Sequence, residues 1–119
     1  MQHYSKLRIW QRSHRLVLAV YRATKVFPVE ERYGLTSQLR RAALSVPANV
    51  VEGSKRASSR DYSHFLNIAE GSLAEAEYLI LVSRDLKYIA ENGATQLLSE
   101  TTELQKMLHS FRKTLEQTP

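Results

Sequence analysis

The 119-residue chain contains no cysteine. That absence excludes a disulfide scaffold, thiol catalysis, iron–sulfur clusters and thiolate-bound zinc. Glycine and proline are scarce, at 4 and 3, and most of them sit where helices break. No run of about 18 uncharged apolar residues exists, so no transmembrane helix is expected. No secretory leader is visible either, and the expected location is cytoplasmic. No Gly-x-x-x-x-Gly-Lys or Gly-x-Gly-x-x-Gly loop is present to cradle phosphates. The four histidines are scattered, and no catalytic triad or carboxylate pair is spaced for a site within one helix. Asp61-x-x-His64 is a single loose relative of the di-iron motif, which needs two copies and two further Glu. It reads as a capping acid beside a surface histidine. The chain is expected to be non-enzymatic, without metal or cofactor.

Charge is what the sequence has in excess. Lys and Arg number 17 against 12 Asp and Glu, for a net charge of +5. The excess is uneven: residues 1–60 carry a net +9 and residues 61–119 a net −4. A basic first half suits a polyanion such as nucleic acid, or an acidic protein surface. Eleven of the basic residues are arginine, the side chain better shaped for bidentate phosphate contacts.

Apolar spacing at 100° per residue predicts four helices, over about 6–27, 36–53, 59–91 and 95–116, and no strand. In the first, Ile9, Trp10, Leu16, Val17, Val20, Tyr21, Thr24 and Phe27 share one arc. Pro28 follows it. Pro47 lies inside the second and predicts a kink or a local break. Leu44, Ala48 and Val51 stand off its main apolar arc, which predicts burial on two sides. Asn92-Gly93 reads as the left-handed stop of the third helix. In the fourth, Leu97, Thr101, Leu104, Leu108, Phe111 and Leu115 form a heptad seam. The expected fold is all-α: one domain over residues 1–119, an antiparallel up-down-up-down four-helix bundle.

Two polar constellations stand out. Arg8, Arg12, Arg15 and Arg22 form a stripe opposite the apolar arc of the first helix, expected to face solvent. Lys55, Arg56 and Arg60 follow in the loop after the second. Together these seven are the candidate nucleic-acid-binding residues. No aromatic residue interleaves with them, which disfavours readout by stacking. The second constellation is Arg41, Ser45, Asn49 and Glu52 on the second helix with Ser72 and Glu75 on the third. It is expected to be a cross-helix polar network fixing register or a subunit contact, with Glu75 balancing a buried Arg41. Small Gly71 would let another backbone approach.

The run Leu39-Arg40-Arg41-Ala42-Ala43-Leu44-Ser45-Val46-Pro47-Ala48-Asn49-Val50-Val51-Glu52-Gly53 resembles the hallmark of the bacterial 23S ribosomal RNA intervening-sequence proteins. Trp10, Tyr21, Phe27-Pro28, Glu31, Tyr33-Gly34-Leu35, Phe65-Leu66, Ala69, Gly71-Ser72 and Glu75 continue the likeness in order. The resemblance implies a left-handed up-down bundle assembled as a homopentamer. A related branch, the accessory variability determinant of diversity-generating retroelements, binds a reverse transcriptase and nucleic acid through a basic surface. The resemblance implies no catalytic residues. The expected function is therefore an oligomeric, non-enzymatic protein that binds structured RNA or other nucleic acid through its basic surface. The alternative is a protein-interaction scaffold that docks an acidic partner or a nucleic-acid enzyme. A third class, an enzyme, would need a pocket around Arg41, Asn49 and Glu75.

Overall fold

The computed structural model describes residues 3–117. Both extreme ends of the expected 1–119 domain fall outside that range. Four α-helices make up the fold: α1 (Arg8–Thr24), α2 (Leu35–Ser54), α3 (Ser59–Asp85) and α4 (Glu91–Glu116). Short 3-10 turns stand at Tyr4–Lys6 and Val29–Glu31, and no strand occurs among the described residues.

Each helix packs against two others, α2 on α3 most extensively. The contacts show the directions. Gly53 of α2 lies against Tyr62 and Phe65 near the start of α3, whereas Ser45 meets Ser72 farther along it. Between α3 and α4, Ser63 reaches Glu116, Glu70 meets Arg112 and Glu77 meets Thr101. As one index climbs the other falls, so these neighbours run antiparallel, as the short loops demand.

The core comes from the apolar arcs. Leu16, Val20, Leu39, Val46, Val50, Leu66, Leu73, Ile80, Leu104 and Leu108 are all buried. The heptad seam of α4 is buried from Leu97 to Leu108 and half-buried at Phe111 and Leu115. α2 runs without interruption through a buried Pro47, so no break occurs there. Gly53 is indispensable to this packing: a Cβ there would lie 2.9 Å from Phe65 Cβ and Tyr62 Cδ1.

Several boundaries differ from the periodicity. α1 begins at Arg8 rather than residue 6 and ends at Thr24, a turn before Pro28. α3 stops at Asp85, not near residue 91. Its end is a Schellman motif: the Tyr88 amide donates to the Ser83 carbonyl and the Lys87 amide to Arg84, both at 2.9 Å. The left-handed position is Lys87, with φ 66°. Glycine, the usual marker, is missing there, and Asn92 and Gly93 instead lie in the first turn of α4. Leu86 and Ala90, inside the expected 59–91 span, thus lie beyond the helix, and both are exposed. By contrast, the start of α3 agrees with the expected 59, and Ser58 caps it, accepting from the Asp61 amide at 3.1 Å.

A second correction concerns the outer side of α2. Leu44 is 43% exposed, Ala48 is exposed and Val51 half-buried. The second apolar side of this helix is not covered within the chain.

Candidate nucleic-acid interface

The first-helix stripe divides by helical phase. Arg8, Arg15 and Arg22 are exposed. They recur every seven residues, about 10.5 Å apart along the axis. Arg12 leans instead towards α4. Its Nε donates to Glu100 Oε1 at 2.7 Å and its Nη2 to Glu100 Oε2 at 3.0 Å. That bidentate pair leaves the Arg12 side chain 20% exposed. The hydrogen bond to Arg12 holds the Glu100 carboxyl below its ordinary range, against the opposing effect of burial. Arg12 is thus a helix-to-helix tie, not part of a solvent-facing stripe. Arg15 and Arg22 border a groove between α1 and α4 that also contains Glu100.

The loop cations divide as well. Lys55 is exposed. Arg56 pairs with Glu52 at 3.1 Å and lies over the Phe65 ring, 4.6 Å from its centre. Arg60 lies in the first turn of α3 rather than in the loop, and borders a groove there with His64, Asn67 and Glu116.

The expected network is only half formed. Ser45 and Ser72 hydroxyls are 2.7 Å apart, and Asn49 Nδ2 donates to the Ser45 carbonyl and hydroxyl at 2.8 and 3.0 Å. Glu52 is committed to Arg56. Arg41 and Glu75 are both exposed and form no ion pair with each other. Neither needed a buried partner, because each lies on the solvent side of its helix. Arg41, Asn49 and Glu75 therefore frame no common pocket. Within the chain nothing approaches Gly71, where an added Cβ would meet no atom within 4 Å.

The structure brings together a site that helix-by-helix reading missed. Where α1 ends and α2 begins, a cleft of about 580 Å³ is bordered by Lys25, Arg32, Arg40 and Arg41, with Thr36, Ser37, Tyr21, Phe27 and Tyr33. No carboxylate borders it. The adjoining Glu31 carboxylate caps the start of α2, accepting from the Leu35 amide at 3.1 Å and from the Tyr88 hydroxyl at 3.1 Å. Arg40 is fixed in place: its Nε donates to Thr24 Oγ1 at 2.8 Å and its guanidinium lies 4.6 Å from the Tyr21 ring centre. Tyr33 is 88% exposed, with Arg32 against its ring. Aromatic rings do interleave with cations, then, but here and not along α1. The signal in the sequence was the pairing of Arg32-Tyr33, in the turn that leads into α2, with Arg40-Arg41 eight residues on, in its second turn.

No group of three or more His, Cys, Asp or Glu is placed to hold a metal among the described residues. No described helix is long and apolar enough to cross a membrane.

Comparison with known proteins agrees with the resemblance in the sequence. The family model described as 23S rRNA-intervening sequence protein matches residues 5–110, and the chain belongs to that family. A crystal structure of a protein with unknown function from the S23 ribosomal protein family of Bacteroides thetaiotaomicron superposes with a TM-score of 0.81. It is 23% identical, and the match covers 88% of this chain and 98% of that one. At this identity the likeness establishes the shared fold. No functionally curated protein matches the chain.

Proposed function

We propose that this protein is a non-enzymatic binder of structured RNA that works through the basic surface of α1 and the α1–α2 end of the bundle. The observation that carries the reading is a set of cations without carboxylate partners. Arg8, Arg15 and Arg22 on α1, and Lys25, Arg32, Arg40 and Arg41 beyond it, form no ion pair within 4 Å among the described residues. Unpaired arginines at about 10.5 Å intervals suit a phosphate backbone, where each contact displaces a condensed counterion. Family membership supports the same reading. Binding would follow shape and charge rather than base edges.

Self-assembly belongs to the same proposal. Leu44, Ile68 and Tyr78 are 43%, 39% and 63% exposed, and Gly71 is open beside them. A second copy covering this α2–α3 face would bury them and repeat the basic surface around the assembly, so that weak contacts add by avidity. A pentamer is the expected order. Light scattering on the wild type and on Leu44→Glu/Ile68→Glu checks it: a pentamer reduced to a monomer is expected, and a monomeric wild type sinks it.

RNA binding is tested with nuclease-treated protein and structured ribosomal RNA, titrated across salt. Binding that weakens steeply with salt is expected. Changing Arg8, Arg15 and Arg22 to Ala should flatten the log–log slope by about 2–3. No binding at low salt would reject the RNA reading and favour a protein scaffold whose basic face docks an acidic partner.

A further inference from the structure

We infer that the cleft between the end of α1 and the start of α2 binds a nucleotide through its 5′ oligophosphate, with the base against Tyr33. This rests on the RNA reading and sharpens it, since the same chemistry occurs at a triphosphorylated RNA end and in a free nucleoside triphosphate.

Four features converge on that ligand. Charge comes first: Lys25, Arg32, Arg40 and Arg41 border one cleft and no carboxylate does. Four cations at one spot match several closely spaced negative charges better than the single charge of an internal phosphodiester. Preorganisation is second. Arg40 is held by Thr24 and the Tyr21 ring, so its guanidinium is set before a ligand arrives and loses little freedom on binding. Third, the first turn of α2 opens onto the same cleft. Thr36 and Ser37 line it, and amides this early in a helix have no intrahelical carbonyl to bond. With the Leu35 amide taken by Glu31, the Thr36 and Ser37 amides are the donors this turn adds to the cations. Fourth is the exposed ring. Tyr33 is 88% exposed at the mouth of a cleft whose volume, about 580 Å³, suits a small ligand. A base stacked on that ring would cover it at little cost. Phosphate alone explains the cations, but it leaves the aromatic mouth without a use.

The test uses the full chain and three probes: a structured RNA hairpin carrying a 5′ triphosphate on a short single-stranded end, the same RNA with a 5′ hydroxyl, and ATP. The triphosphate RNA should bind about tenfold more tightly than the hydroxyl RNA, since the end adds several charge-assisted hydrogen bonds. Lys25→Ala/Arg41→Ala should bring that ratio close to one. Both side chains are exposed, and circular dichroism checks that the bundle is intact. Arg8, Arg15 and Arg22 changed to Ala should weaken both RNAs and keep the ratio. ATP that competes for the preference marks a site open to free nucleotides; preference without ATP binding assigns the cleft to RNA ends. Equal binding of the two RNAs with no ATP binding overturns the inference, as does a preference that survives Lys25→Ala/Arg41→Ala. If neither RNA binds, the RNA reading fails by itself. ATP then decides the cleft: saturable binding lost in the double variant upholds it, and no binding overturns it.

Discussion

Two arginine-bearing regions of this bundle use the same side chain in opposite ways. On the α3–α4 seam, Arg112 is enclosed by acids: it donates to Glu70 and, at 2.7 Å, to Glu116. Its side chain is 16% exposed and that of Glu70 is 14% exposed. Glu70 first, with help from Glu116, strengthens its hold on the proton. At the α1–α2 end, Arg32, Arg40 and Arg41 border a cleft with no carboxylate. The first arrangement cancels charge to fix two helices; the second leaves charge available to a ligand. What separates a tie from a binding group is the partner across the helix gap, and no count of arginines contains it.

The largest expected effect lies on the seam. Arg112→Ala strands the poorly exposed Glu70 carboxylate and should lower unfolding free energy by about 2 kcal/mol, read by urea denaturation. Its effect on RNA affinity should be slight. If RNA binding collapses while stability holds, the two regions have been assigned the wrong way round.

Arg12→Ala comes next, at about 1 kcal/mol, because its pair with Glu100 is more exposed. This pair also predicts a pH dependence. Glu100 has a lowered pKa in the folded protein, with its hydrogen bond to Arg12 as the main cause. Its stabilisation is therefore complete above the ordinary carboxylate range and is lost as pH falls through the lowered folded value. Stability curves of wild type and Arg12→Ala should converge on acidification. Parallel curves would mean that the pair contributes nothing.

A gain of about 0.5–1 kcal/mol is expected for Lys87→Gly, which relieves a left-handed residue. It also removes a cation remote in sequence from the basic half. Thermal denaturation reads the gain, and RNA affinity should not follow it.

The smallest stability effects are expected at exposed side chains that form no ion pair among the described residues. Arg22→Ala, Arg41→Ala and Glu75→Ala should each stay within about 0.5 kcal/mol, since all three side chains are exposed. Destabilisation by Glu75→Ala beyond that would restore the Arg41–Glu75 pairing that the exposed positions argue against.

The fold was legible where one helix carries its own signal. The α1 arc, the α4 seam and the Ser58 cap each need only residues three to seven positions apart. The end of α3 was not legible. Its left-handed residue is a lysine, and the neighbouring Asn92-Gly93 imitates a stop inside the next helix. Likewise, periodicity placed Arg12 among its exposed neighbours. A rotation of about 40° from Arg8 brought it against Glu100, 88 residues away in sequence.

By itself, the sequence determined the four helices, the apolar faces they bury, the basic first half and the family. These follow from local geometry and composition, which every residue expresses wherever the chain goes. Only the tertiary structure decided which cations are neutralised and which stay open, and that Lys25, Arg32, Arg40 and Arg41 share one cleft. The physical reason is that electrostatic pairing depends on distance in space. The turn at Pro28–Gly34 and the packing of α1 on α4 set those distances, and neither is written in the spacing of any single helix.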